Sequence, residues 1–297
     1  GSEMCIRDRD YRIHTYPKPV LCWGHGIVMG GGIGLMMGAS HRVVSETSRL
    51  AMPEVSIGLF PDVGGSWLLN RMPGRIGLFL ALTGAHMNTA DAFFAGLADF
   101  RLNHADWPKL LASLEEQPWA GQAAGAPESS LAPRSMNDGL LRRALTALEP
   151  QTPLDPGHLR QHSFLINNLC NGNRLDEIYE ELALLKDHAD PWLARAATTM
   201  LAGSPGSVRL AFALQQRTRL RSLDDVFRAE YIAALACTAH GDFAEGIRAL
   251  LVDKDKKPHW NPAVLDMATD AWVQKFFEEP WPAGEPHPLA DLGQEGR

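Results

Sequence analysis

The stretch 24–65, GHGIVMGGGIGLMMGASHRVVSETSRLAMPEVSIGLFPDVGG, sets short apolar runs, glycine clusters and two acids in one tight order. Such an order restricts the chain to folds whose strands pass into helices through glycine turns. The apolar run 20–23 leads into Gly24 and Gly26. Met29-Gly30-Gly31-Gly32 then gives way to Ile33, Leu35, Met36 and Met37, a segment predicted to be helical. Glycine allows the backbone to approach a ligand closely. Free N–H groups at the start of a helix, aided by its dipole, favour negative charge, either a resting anion or an oxyanion formed during reaction. Glu54 follows Met52-Pro53 and Asp62 follows Phe60-Pro61. Two carboxylates so close to an oxyanion-favouring turn point to acyl chemistry.

Plainer readings of the same residues exist. Glycine-rich turns also arise for packing alone, Glu54 also reads as a strand-end carboxylate, and Asp62 as the cap of a helix beginning near Gly64. Neither Gly24-x-Gly26 nor Gly30-x-Gly32 continues with the spacing of the dinucleotide fingerprint, and no G-x-x-x-x-G-K-[ST] phosphate loop occurs. Ser66 lacks a G-x-S-x-G elbow. His25, between two glycines, reads as a substrate contact or as part of a packed turn. The histidines form no H-E-x-x-H, and Cys5, Cys22, Cys170 and Cys237 form no C-x-x-C pair, so neither a metal site nor a disulfide framework is expected.

The order of the motifs carries more than any one of them. GHG-x-x-x-GGG-x-G-L, A-M-P-E, I-G-L-F-P-D-x-G-G and then L-A-L-T-G at 80–84 strongly resemble the crotonase (enoyl-CoA hydratase/isomerase) superfamily, and within it the branch of 3-hydroxyisobutyryl-CoA hydrolases. L-D-D-V-F at 223–227 through Glu230-Tyr231, D-F-x-E-G-I-R-A at 242–249, L-V-D-K-D at 251–255 and P-x-W at 258–260 look like that family's C-terminal part. The resemblance covers residues 11–89 and 223–260 well and the middle less so.

The resemblance implies an α/β (α+β) crotonase-like ββα superhelix with a helical C-terminal region. It implies an oxyanion hole for a thioester carbonyl, one of its two N–H groups being that of Gly31, with Gly30 and His25 as further substrate contacts. Hydratases carry two glutamates, of which the second matches Glu54, while the first falls on Gly34 and is absent. Asp62 stands where hydratases tend to have glycine and 3-hydroxyacyl-CoA hydrolases an aspartate. Hydration uses two carboxylates on one water, whereas thioester hydrolysis needs a nucleophile or base, an oxyanion hole and help for the leaving group. The expected activity is therefore hydrolysis of a short branched 3-hydroxyacyl-CoA such as 3-hydroxyisobutyryl-CoA, in valine degradation. Glu54 would attack the carbonyl or activate water. Asp62 would bind the 3-hydroxyl or handle the thiolate's proton. Two alternatives are an enoyl-CoA hydratase/isomerase and a catalytically inactive acyl-CoA-binding crotonase-like protein. Family members also carry a preceding segment that supplies the other oxyanion N–H, much of the CoA groove and a substrate-contacting glutamate just upstream of the position of Tyr11. The chain reads as lacking it.

Composition bounds the remainder. Of 297 residues 45% are hydrophobic, enough for a sizeable core, and the net charge of −7 without a basic block argues against nucleic acid or an anionic membrane as partner. No apolar run reaches the roughly 18 residues of a membrane span. A cytoplasmic enzyme with reduced thiols is expected, without metal or redox cofactor, coenzyme A entering only as part of the substrate. Relatives often form trimers but the hydrolase branch varies, so the resemblance leaves a homo-oligomer open. Lys254, Lys256 and Lys257 could meet CoA phosphates or merely face solvent.

Five regions are expected: 1–9, matching nothing in the family and read as a scar or artefact; 10–117, a partial crotonase core; 118–134, a linker rich in Ala, Gly, Pro and Ser; 135–279, a helical region; and 280–297, a loose tail. Strands are predicted at 20–23, 41–44, 50–52 and 98–102. Helices are predicted at 63–71, 75–83, from Thr89 as cap, 106–116, 136–148, 156–169, 175–185, 191–201, 207–220, 224–239, 243–252 and 262–277.

Overall fold

The computed structural model describes residues 2–121 and 131–294. Strands β1 (Leu21–Gly24), β3 (His41–Val44) and β5 (Phe100–Arg101) form a parallel sheet in the order β1-β3-β5. Strands β2 (Ile27–Met29) and β4 (Arg49–Ala51) form a second parallel pair. Parallel neighbours require crossovers, and α2 (Gly31–Gly38) lies on both the connection from β1 to β3 and that from β2 to β4. Its residues Ile33, Met36 and Met37 are buried and Leu35 is partly so, as expected of a helix packed on the core. Strands joined through helices in this way make the α/β fold anticipated above.

Helix α1 (Ser2–Thr15) precedes the sheet, and α3 (Gly65–Leu69), α4 (Ile76–Thr83), α5 (Thr89–Phe94) and α6 (Trp107–Glu115) follow β4. Residues 2–9, set apart by sequence, thus form most of α1, and Arg7 and Asp10 on it are fully buried. The helical region runs through α7 (Leu131–Leu148), α8 (His158–Leu169), α9 (Leu175–Ala183), α10 (Pro191–Ala202), α11 (Pro205–Thr218), α12 (Leu223–Ala239), α13 (Asp242–Ile247) and α14 (Asp270–Gln274). One core joins it to the sheet layer: Met37, Phe60 and Phe79 share a cluster with Leu193, Leu214 and Phe227.

Several local expectations change. β2 was not anticipated, because its three residues include the exposed Ile27 and show no alternation. Asn88, not Thr89, caps α5: its side chain accepts from Asp91 N–H while Asp91 accepts from Asn88 N–H. The helix expected at 262–277 is broken into short turns at Leu265–Met267, Asp270–Gln274 and Lys275–Phe277. Of the expected linker, residues 122–130 lie outside the described residues, and α7 begins within its last part. Near the C-terminus Leu289 and Leu292 are buried, their carbonyls accepting hydrogen bonds from Arg228 on α12. No disulfide forms among the described residues.

Candidate active site

Two glycine-dependent features bring the site together. Gly30 caps the start of α2 at φ 49° and ψ −118°, a backbone that L side chains rarely adopt. A Cβ on it would lie 3.0 Å from Oε1 of Glu54, so that carboxylate sits against the N-terminus of α2. Gly31 begins the helix, where no preceding turn supplies a carbonyl for its N–H. It is exposed, and no described atom lies within 4 Å of where its side chain would begin.

Glu54 opens a short 3-10 turn, Glu54–Ile57, closed by Gly58 at φ 74°. The C-terminal motif reaches back to this turn. Gly246 of α13 lies so close to Ile57 that any Cβ would collide with its carbonyl, and Ser204 N–H donates to the Val55 carbonyl at 2.9 Å. Asp242 holds the junction, accepting from Ser204 Oγ at 2.6 Å and Asn261 N–H at 2.8 Å. The motif at 242–249 therefore supports the turn that carries Glu54. Glu54 is 5% exposed, and its Oε2 has no hydrogen-bond partner among the described residues. Burial first, then the charges of Asp62 and Glu230, push its pKa up to about 8.

Asp62 enters from a tight turn in which Val63 (φ 52°) and Gly64 (φ 84°) are both left-handed. For a β-branched residue this conformation costs on the order of 1–3 kcal/mol and persists only where the surroundings enforce it. Nη2 of the buried Arg7 lies 3.4 Å from Asp62 Oδ2. Asp62 does not cap α3. That work falls to Glu230 of α12, whose Oε2 accepts from Gly64 N–H at 2.7 Å and whose Oε1 accepts from Ser66 N–H at 2.9 Å. Glu230 is completely buried, and burial pushes its pKa up to about 7 against the opposing charge of Arg7.

The space beside Gly34 is filled. A Cβ there would stand 2.7 Å from Asp10 Oδ2 and 2.9 Å from Val63 Cγ2. Asp10 lies immediately before Tyr11, the place where the resemblance implies an upstream glutamate. It is fully buried, its carboxyl pushed up to about 6 by that burial despite Arg9 Nε at 3.6 Å. Asp10, Arg7 and Glu230 were not singled out from sequence as site residues. Position before Tyr11 was the available signal for Asp10, and Glu230 stood only as a letter in a C-terminal motif. His25 is exposed and faces the His104 ring at 5.0 Å, so it is placed with a neighbouring turn and not with Glu54. Lys254, Lys256 and Lys257 lie on an exposed loop.

A buried carboxylate of raised pKa, beside the open N-terminus of an eight-residue helix and across from a second carboxylate, suits proton transfer or attack at a carbonyl whose oxygen the helix receives. Residues 8–277 match the family model described as enoyl-CoA hydratase/isomerase. The chain belongs to that family. The 3-hydroxyisobutyryl-CoA hydrolase, mitochondrial, of Gallus gallus is 34% identical over 272 residues, covering 91% of this chain and 66% of the relative. That of Danio rerio is 35% identical over 268 residues, covering 89% and 65%. The chain thus spans just under two thirds of the length of these curated relatives. Among solved structures, an enoyl-CoA hydratase from Rhodobacter sphaeroides superposes with TM-score 0.75 at 33% identity, covering 94% of this chain and 75% of that one. A carnitinyl-CoA dehydratase from Mycobacterium thermoresistibile superposes with TM-score 0.77 at 32% identity, covering 95% and 76%. In this member of the enoyl-CoA hydratase/isomerase family a glycine-rich turn precedes the short helix α2. No helix among the described residues is long and apolar enough to cross a membrane.

Proposed function

We propose that this family member hydrolyses the thioester of a short branched 3-hydroxyacyl-CoA such as 3-hydroxyisobutyryl-CoA, a reaction of valine degradation. The observation that carries the reading is the filled space at Gly34, which leaves Glu54 without the second glutamate that water addition to a double bond calls for. In this reading the carbonyl oxygen rests on the N–H of Gly31, against Gly30. Glu54 then acts in one of two ways. As nucleophile its carboxylate bonds to the carbonyl carbon, the C–S bond breaks, CoA leaves as thiolate, and water cleaves the resulting anhydride. As base it takes a proton from the water that attacks directly. Asp62 binds the 3-hydroxyl or supplies the thiolate's proton. The names of the relatives support a hydrolase, and the chain's own acids agree with it.

A hydratase is the second reading, favoured by the names of the superposable structures. Free-thiol release from 3-hydroxyisobutyryl-CoA, run beside hydration of crotonyl-CoA, separates the two. The expected result is thiol release without hydration, abolished in Glu54→Gln with substrate binding retained. Hydration without thiol release would establish the hydratase, and binding with neither reaction would make this an acyl-CoA-binding protein.

A further inference from the structure

Glu230 is a fully buried carboxylate that the reaction above does not use. It lies 166 residues from Gly64 in sequence and reaches the turn carrying Asp62 from α12. Its two oxygens bracket that turn, one on Gly64 N–H and one on Ser66 N–H. Phe227, one helical turn earlier on α12, lies 3.3 Å from where a Gly64 side chain would begin, behind the nearer Met37 of α2. So α12 grips the turn twice, by a ring and by a carboxylate. A short polar side chain within the loop could cap α3 without burying a charge. A carboxylate brought from α12 instead makes the position of the turn depend on the helical region. Glu230 is wholly buried and each of its oxygens is bonded to a backbone donor, which suits it to hold the turn.

We propose that Glu230 is the positioning residue for Asp62, holding the left-handed Val63-Gly64 turn so that the Asp62 carboxylate stands at a fixed place beside Glu54 and selects 3-hydroxyacyl over plain acyl thioesters. The inference rests on the hydrolase reading above. Loss of either clamp bond lets the turn relax from its left-handed backbone, and Asp62 moves with it. Glu54, held by a separate turn, keeps its place, so the effect falls on the hydroxyl and spares the thioester.

The test measures kcat/KM for 3-hydroxyisobutyryl-CoA and isobutyryl-CoA in the whole chain. In Glu230→Gln, whose amide offers one acceptor for two donors, the ratio between the two esters is expected to fall about tenfold, the equivalent of one charge-assisted hydrogen bond. Glu230→Asp keeps the charge but is too short to span both N–H groups, and should lose the ratio as well. Adding Glu230→Gln to Asp62→Asn should bring no further loss, because the first acts through the second. Equal slowing of both esters, full discrimination in Glu230→Asp, or additive losses would overturn the proposal. Amide exchange at Gly64 and Ser66 reads the clamp without catalysis. If the unsubstituted chain releases no thiol from either ester, the hydrolase reading fails. Protection then decides separately: loss confined to 62–66 in Glu230→Gln supports the clamp, and unchanged protection refutes it.

Discussion

At position 34 a hydrogen atom stands where the family resemblance implies a hydratase's first glutamate, and the surrounding atoms crowd anything larger. The nearest neighbours of a new Cβ would be Asp10 Oδ2 at 2.7 Å and Val63 Cγ2 at 2.9 Å. Neither yields easily. Asp10 is buried on α1, and Val63 is fixed in a left-handed turn whose ends are tied to Glu230. In an ordinary helix interior, replacing glycine by alanine stabilises by roughly 1 kcal/mol. Here overpacking, typically costing about 1–3 kcal/mol, opposes that gain. Gly34→Ala is therefore expected to lower the melting temperature, and Gly34→Glu to lower it further without creating hydratase activity. A rise in melting temperature for Gly34→Ala would show that the space is open and would remove the main argument against water addition.

The same helix offers a contrasting position three residues earlier. Gly31 faces open space, with no described atom within 4 Å of where a Cβ would stand, and its φ is not one that demands glycine. Gly31→Val should fold with a stability change within about 0.5 kcal/mol, as at other unencumbered surface positions. Yet it should cut hydrolysis roughly 10²-fold by displacing the thioester from the helix N-terminus. Normal turnover with normal melting would dissociate α2 from the oxyanion role. α2, β1, β3 and most later helices were legible from sequence, because glycine clusters and apolar spacing are local signals. β2 was not, being three residues with an exposed isoleucine. Nor was the pairing of Glu230 with Gly64 and Ser66, which depends on how α12 crosses the core and leaves no trace in spacing. Glu54 and Asp62 could be found as letters in motifs. What the letters could not convey is burial, and burial sets how Glu54 ionises.

Across the whole molecule, three distant segments deliver carboxyls to one interior: Asp10 from α1, Glu54 from its 3-10 turn and Glu230 from α12. Burial pushes them up to about 6, about 8 and about 7 respectively, from ordinary values of 3.8 for the aspartate and 4.5 for the glutamates. The unfolded chain ionises all three below pH 5, whereas the folded chain holds their protons longer. Between those values the folded state binds more protons, so stability falls as pH rises. Their favourable contribution is complete below the unfolded values and is lost as pH passes through 6, 7 and 8. Carboxylates held low by arginine, such as Glu245 at about 2 beside Arg248, act oppositely but only under acid conditions. The working window is pH 6.5 to 8.5, starting at the ordinary histidine value and lying below that of the half-buried Cys22 and buried Cys170 thiols, which burial raises. Melting temperature should drop by several degrees across it. Glu54→Gln should flatten that slope and melt above the unsubstituted chain at pH 8.5, while the two lie closer at pH 6.5. Over the same window hydrolysis should rise, because Glu54 must be ionised to attack the carbonyl or to take a proton from water. One ionisation would then strengthen catalysis and weaken the fold together. A melting temperature constant from pH 6.5 to 8.5, or an unaltered slope in Glu54→Gln, would mean that Glu54 is already charged in the folded protein and that its burial does not set the working pH.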